Sequence, residues 1–143
     1  MSYQVVRDFE AAVAKFAGSK YAVAVDSCTN ALFLSCKYLK LGKGELTQYS
    51  ARGKVYLPKH TYVSVPNSVI HAGASVVFED RDWKKDGFYF LDPYMIVDAA
   101  HMWTKNMYVK DTFFCLSFSA TKPINIGKGG MILTNDEQAA AWF

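Results

Sequence analysis

Apolar and polar residues alternate with two different periods along the first part of the chain. Between residues 3 and 17, apolar side chains from Val5 to Phe16 recur at spacings of four, four and three, which predicts a helix with one buried face. Gly18 follows where a helix C-terminal glycine is expected. The apolar run Tyr21–Val25 comes next, and such a short run is typical of a strand buried on both faces.

The same alternation continues as far as Glu79. The predicted elements are, in order, a helix with Leu32, Cys36 and Leu39 on one side, a strand at Val55–Leu57, a helix from Ser64 to Gly73 and a strand at Ser75–Glu79. Pro66 falls in the first turn of the last helix, where a missing N–H costs little. Strands that alternate with helices in this way indicate βαβ units and a mostly parallel sheet.

The second half of the chain reads mainly as strands. Met95–Val97, Phe113–Phe118 and Met131–Leu133 are each short and apolar. Asp80–Gly87 consists of charged and turn residues apart from Trp83, and it is the one candidate linker. The whole pattern predicts an α/β fold of three layers, α/β/α, and we expect residues 1–143 to form a single domain.

Composition narrows the classes of protein. Of the 143 residues, 51% are apolar and 20% are charged, which excludes a disordered chain. The net charge of +3 is small and dispersed, so no nucleic-acid partner is expected. No apolar run reaches the roughly 18 residues that span a bilayer, and no secretory signal is evident, which predicts a cytoplasmic protein without a membrane segment. Three cysteines, an odd number in apolar stretches, favour reduced thiols.

Polar residues follow several of the predicted strands, where ligands bind in open α/β sheets. Asp26–Asn30 lies between a strand and a helix, and free N–H groups there could hold an anion, although ordinary N-capping explains the same residues. In Lys59–Tyr62 the aromatic ring could stack on a planar ligand or pack in the core. Asp98 and His101, separated by two alanines, could face a large ligand, or Asp98 could cap the next segment. Lys122 could be a desolvated nucleophile or a solvated surface charge.

These clusters occur in one order along the chain. A Ser/Thr turn at 26–30 is followed by PKHTYV at 58–63, IVDAAH at 96–101, SFSATK at 117–122 and GKGG at 127–130. Together with their flanks they closely resemble the DegT/StrS-type sugar aminotransferases, which use pyridoxal phosphate (PLP) on the aspartate-aminotransferase fold, fold type I. The resemblance covers most of the chain. It implies that the chain corresponds to the large PLP-binding domain of that fold.

The resemblance implies roles for four side chains around the PLP ring. Lys122 matches the catalytic lysine that forms a Schiff base with PLP and moves the proton during transamination. Asp98 matches the acid that pairs with the pyridine nitrogen, which keeps the ring an electron sink. His101 matches the residue that hydrogen-bonds the phenolic oxygen, and Tyr62 matches the aromatic residue stacked on the ring.

The resemblance also implies a phosphate site. Ser117 and Thr29, together with the backbone around Cys28 and Asn30, match the residues that hold the cofactor phosphate. Cys28 stands where many relatives have glycine, so the backbone there has less conformational freedom. Lys128 stands where the family usually has an acid in its G-E-G-G segment. No metal ligand set is expected.

The chain is shorter than the family enzymes in two places. They are well over twice as long, with a carboxy-terminal domain, and they have a further strand and helix where about fifteen residues join Glu79 to Met95 here. Loss of that βα unit would make its neighbouring strands pair directly or leave a gap, and would expose apolar surface. Because two subunits share each active site in the family, we expect a homodimer or larger homo-oligomer.

The leading interpretation is a PLP-dependent aminotransferase-like protein. It would transfer an amino group from a glutamate-like donor to a keto sugar nucleotide through Lys122. The alternative is a non-catalytic module that keeps the fold for cofactor binding or protein assembly. A generic nucleotide-binding protein is less favoured, because Gly127–Gly130 lies between two late strands and not between a first strand and a helix.

Overall fold

A computed structural model describes residues 3–42 and 53–143. In that part of the chain, helices and strands follow the predicted order. They are α1 (Gln4–Ala17), β1 (Tyr21–Val25), α2 (Cys28–Tyr38), β2 (Lys54–Pro58), α3 (Ser64–His71), β3 (Ser75–Glu79), β4 (Tyr89–Phe90), β5 (Ile96–Asp98), β6 (Phe113–Ser117), β7 (Gly130–Thr134) and α4 (Glu137–Trp142). Sequence periodicity did not predict β4 or α4, which are two and six residues long.

Local sequence explains where the first helix ends. Gly18 adopts a left-handed φ of 83°, and its N–H donates to the carbonyl of Ala14, which ends α1 as predicted. The buried face of α1 begins later than predicted, because Val5 is 75% exposed whereas Val13 and Ala17 are buried. Among the described residues, no helix is both long and apolar enough to cross a bilayer.

The α/β class is confirmed, but the sheet is mixed and not mostly parallel. Five strands form one sheet in the order β1-β7-β6-β5-β4, where only β5 and β6 are parallel neighbours. A second sheet contains the parallel pair β2 and β3. Parallel neighbours need a crossover of about a dozen or more residues, usually a helix. The connection from β4 to β5 is too short for such a crossover, and these two strands pair antiparallel.

Side chains are buried on both faces of the larger sheet, which confirms the three layers. On one face, Phe114 and Leu116 of β6 share a cluster with Val13 and Ala17 of α1. On the other face, Cys115 packs in a cluster with residues of α2, α3 and α4. Alternate residues of a strand point to opposite faces, so β6 supplies both clusters. The three cysteines are free and buried, as predicted.

The segment between β3 and β5 joins the two sheets. The Tyr56 N–H donates to the Asp92 carbonyl at 2.8 Å, which forms a bridge between β2 and the turn before β5. The Arg81 guanidinium bonds the Asp92 carboxylate, donates to the Tyr56 carbonyl at 2.8 Å and lies 3.2 Å from Glu79 Oε2. This segment therefore places β4 beside β5 and ties β2 to the larger sheet.

Candidate functional site

A cavity of about 320 Å³ lies at the ends of β5 and β6 and the start of α2, within the size range of small-molecule sites. Seven of the eight predicted site residues line it: Cys28, Thr29, Tyr62, Asp98, His101, Ser117 and Lys122. Asn30 does not. Residues that sequence reasoning did not assign to the site also line it, among them Trp83, Tyr89, Ser64, Ser119 and Lys128.

The start of α2 forms one end of the cavity. Ser27 has extended backbone, and its hydroxyl accepts the N–H of Asn30 at 3.2 Å, so the N-capping interpretation is correct. The Asn30 side chain donates to Asp26 Oδ1 at 2.6 Å, which turns it away from the cavity. Thr29 Oγ1 donates to Ser64 Oγ at 2.9 Å, linking α2 to α3. Hydroxyls and the positive end of the α2 dipole therefore meet here, as an anion site requires.

Glycine at the start of β7 lets that strand pass directly over α2. A Cβ on Gly130 would lie 2.3 Å from the Ser27 carbonyl carbon and 2.5 Å from the Cys28 nitrogen. Both are backbone atoms, so no side chain fits. This close approach brings Lys128 and Gly129 to the cavity wall. The pKa of Asp26 is lowered by hydrogen bonds from Asn30 and Ser27 and, to a lesser degree, by the charge of Lys128.

Asp98 ends β5 and is a buried carboxylate, 7% exposed. The Tyr89 hydroxyl donates to Oδ2 at 2.6 Å, and the Ala100 N–H donates to Oδ1 at 3.0 Å. Burial raises the pKa of Asp98, while both hydrogen bonds, the nearby Lys122 charge and, in its protonated form, His101 oppose that rise. The capping interpretation and the ligand-facing interpretation therefore hold together, since Asp98 bonds the next turn and also lines the cavity.

Lys122 and His101 are in direct contact. Lys122 Nζ lies 2.8 Å from His101 Nε2, and since an ammonium can only donate, the imidazole nitrogen accepts. Burial, and then the charge of Lys122, lower the pKa of His101 below its usual range, which favours the neutral ring that this contact needs. Lys122 is therefore neither fully buried nor a free surface charge.

The cavity wall includes the aromatic side chains of Tyr62 and Trp83 as well as that of Tyr89. Tyr62 is 74% exposed, so it does not pack in the core and its ring is available to a ligand. Trp83 donates its indole N–H to the His60 carbonyl at 2.9 Å, and its ring centre lies 5.7 Å from that of His101. A single tryptophan within the charged run from Asp80 to Gly87 was the sequence signal for this wall.

The donor set fits PLP. A ring with a basic nitrogen, a phenolic oxygen, an aldehyde and a phosphate needs a carboxylate, a hydrogen-bonding group, an amine and an anion site. Asp98, His101 and Lys122 supply the first three, and the hydroxyls and N–H groups near Thr29 and Ser117 supply the fourth. No group of His, Cys, Asp and Glu in the described ranges could hold a metal ion.

Comparison with known proteins identifies the family. The model of the DegT/DnrJ/EryC1/StrS aminotransferase family matches residues 1–109 and 92–142. The spore coat polysaccharide biosynthesis protein SpsC of Bacillus subtilis is 30% identical over 179 residues, covering 94% of this chain and 43% of SpsC. GDP-perosamine synthase of Caulobacter vibrioides is 27% identical, covering 94% of this chain and 45% of that enzyme.

Solved structures agree on the fold. One from Bacillus cereus, assigned as a PLP-dependent aminotransferase, superposes with a TM-score of 0.71 at 20% identity, over 96% of this chain and 47% of that one. The chain therefore spans less than half the length of the relatives it matches. The SpsC alignment is longer than the whole 143-residue chain, so SpsC has residues inside the aligned region that this chain lacks.

Proposed function

Because this chain belongs to the DegT/DnrJ/EryC1/StrS aminotransferase family, we propose that it binds PLP at Lys122 and takes part in transferring an amino group to a sugar nucleotide. The observation that carries the proposal is the convergence of Lys122, His101 and the buried Asp98 in one cavity beside the start of α2. Each of these residue types has ordinary structural uses elsewhere in a protein. The fold itself, however, does not require these side chains to lie together around a cavity of ligand size.

Each side chain has a defined task in this proposal. PLP bound at Lys122 would supply an electron sink for the bond broken at the donor carbon. Asp98 would carry the negative charge that keeps the pyridine nitrogen protonated, and burial would strengthen that attraction because the local dielectric is low. The Lys122 amine would act as the general acid and base that holds and moves the proton. His101 accepts a hydrogen bond from Lys122 and holds it towards the cavity.

The remaining contacts concern binding. Tyr62 would cover one face of the cofactor ring, and Ser117 and Thr29, with the backbone near Cys28, would bind its phosphate. The proposed donor is glutamate-like, and the proposed acceptor is a keto sugar nucleotide. GDP-perosamine synthase and SpsC, both named for sugar or polysaccharide biosynthesis, support this class of acceptor.

The proposal includes self-association. Several large apolar side chains near the cavity are exposed, among them Tyr62, Val63 and Ile126. Contiguous exposed apolar groups are uncommon on monomers and typical of interfaces. A homodimer or larger assembly would cover them.

Visible absorbance of the full chain with PLP tests the proposal. We expect a band from the lysine–PLP linkage that is lost on adding glutamate, that is absent in Lys122→Ala and that survives in Lys15→Ala, whose side chain lies on α1. The absence of a band that depends on Lys122 would overturn the proposal. A band that no amino donor changes would favour the alternative, a PLP-binding module without turnover.

A further inference from the structure

The segment between β3 and β5 places a tyrosine hydroxyl on the buried acid of the cavity. Tyr89, on β4, is 6% exposed, and its hydroxyl donates to Asp98 Oδ2 at 2.6 Å. We propose that Tyr89 is a positioning residue that fixes the orientation and the ionised state of the Asp98 carboxylate. The inference rests on the proposed function only in so far as Asp98 is to face the nitrogen of PLP.

Sheet pairing holds the two residues together. Tyr89 and Asp98 are opposite each other in the antiparallel register of β4 and β5, so their side chains emerge side by side on one face. The Ala100 N–H occupies Oδ1 while Tyr89 occupies Oδ2. With a donor on each oxygen, the carboxyl plane cannot rotate without breaking a hydrogen bond. A lone pair on each oxygen is still available to a ligand.

A second hydroxyl completes the arrangement. The Thr61 hydroxyl bonds the Tyr89 hydroxyl. Since the single proton of Tyr89 goes to Asp98, Thr61 must be the donor to Tyr89. The proton order is therefore from Thr61 to Tyr89 to Asp98, and successive hydrogen bonds of this kind strengthen one another. Burial and the Asp98 charge raise the pKa of Tyr89 far above its usual range, so Tyr89 stays a donor.

The groups around Asp98 show what Tyr89 must offset. The titratable neighbours that face it are Cys28 on α2, Cys115 on β6, His101 and Lys122. Burial and the Asp98 charge raise the pKa of both thiols, so neither thiol carries charge near neutral pH. Burial raises the pKa of Asp98, and the Tyr89 hydrogen bond is the largest of the effects that lower it.

The experiment is a pH titration of the Asp98 carboxyl carbon by ¹³C NMR in the full chain without PLP, with the signal assigned by its loss in Asp98→Asn. In Tyr89→Phe we expect the midpoint to rise by about one to two pH units, because a hydrogen bond to the charged form is lost. Tyr108→Phe is the matched control, since its hydroxyl bonds the Thr112 carbonyl at 3.1 Å, away from the cavity. An unchanged midpoint in Tyr89→Phe overturns the inference.

Thr61→Val is a second variant that keeps the Tyr89–Asp98 bond, in case Tyr89→Phe does not fold. It removes the donor to Tyr89, and we expect the midpoint of the Asp98 titration to rise by less than it does in Tyr89→Phe. If the midpoint rises in neither variant, the proposed proton order is contradicted. A PLP titration separates the two proposals. A wild type that never binds PLP but shows the Tyr89 effect contradicts the proposed function alone, whereas a wild type that binds PLP without that effect contradicts the Tyr89 inference alone.

Discussion

Single polar side chains at the cavity meet the needs of the backbone and of a ligand together. The Asp98 side chain accepts the Ala100 N–H, as an Asp that starts a turn commonly does, and its other oxygen is bonded by Tyr89. Ser27 caps α2 in an ordinary way and leaves neighbouring N–H groups directed at the cavity. Local roles therefore do not argue against functional ones here. What distinguishes the site from a set of unrelated helix and turn caps is that these residues line one cavity.

The contact between His101 and Lys122 predicts a change in titration. Burial and then the Lys122 charge depress the pKa of His101, so its ring is neutral at pH 7 and gains a proton only below the usual histidine range. Lys122→Met removes the positive charge that disfavours the imidazolium, and the midpoint should rise. Burial persists and outweighs the opposing Asp98 charge, so the pKa of His101 should remain lower than that of an exposed histidine.

Proton NMR of the His101 ring measures that midpoint. Lys15→Met, on the exposed side of α1, is the control and should leave it unchanged. A midpoint that is equal in wild type and Lys122→Met would show that the 2.8 Å contact does not persist in solution.

At the level of secondary structure, the short segment from Asp80 to Pro93, which contains β4, has the largest effect on the site. It carries Arg81, which ties β2 to the turn before β5, and Trp83 and Tyr89, which stand at the cavity wall. The bridge from Tyr56 to Asp92 then brings the smaller sheet alongside. A segment that reads as a linker is therefore a structural joint between two sheets.

Arg81→Met is expected to lower the free energy of unfolding by about 1–3 kcal/mol, because it leaves the Tyr56 carbonyl and the Asp92 carboxylate without their donor. The Arg81 side chain is only 29% exposed, so water replaces these bonds incompletely. Urea denaturation measures the change. Lys59→Met breaks an ion pair with Asp80, in which the two side chains are 55% and 88% exposed. It should lower the free energy of unfolding by less than about 0.5 kcal/mol. Equal effects of the two variants would contradict the role of Arg81 in joining the two sheets.

For the molecule as a whole, the distribution of apolar surface matters most. Phe78 on β3, Ile70 on α3 and Met95 before β5 are exposed together with Tyr62 and Ile126. The smaller sheet has only two strands, so the edges of β2 and β3 that face away from each other have few partners in the described chain. Association would cover both features.

Sedimentation velocity at micromolar concentration tests this expectation. We expect a dimer or larger species, with a mass at least twice the 16.0 kDa of the chain. Ile126→Ser, which makes an exposed side chain polar without touching the core, should weaken association if the cavity face takes part. Val5→Ser, on α1 and therefore on the opposite face of the larger sheet from α2, is the matched control. A wild type that sediments as a monomer would contradict the expectation.

Sequence alone predicted most elements and seven of the residues that line the cavity, because the signals involved are local. Helical and strand periodicities, glycine at the end of α1 and proline near the start of α3 act within a few residues. The motif residues from Asp98 to Lys122 were predictable for a related reason, since they follow strands whose ends meet at one edge of the sheet.

Only the tertiary structure decided the mixed sheet, β4 and the contact of Tyr89 with Asp98. A two-residue strand has too few residues for a periodic signal, and it forms because β5 and the bridge to β2 hold it there. Likewise, the Gly130 backbone passes over Ser27, more than a hundred residues away in the chain, and nothing local to either position shows it. Long-range pairing depends on what packs opposite each segment, which is a property of the folded chain as a whole.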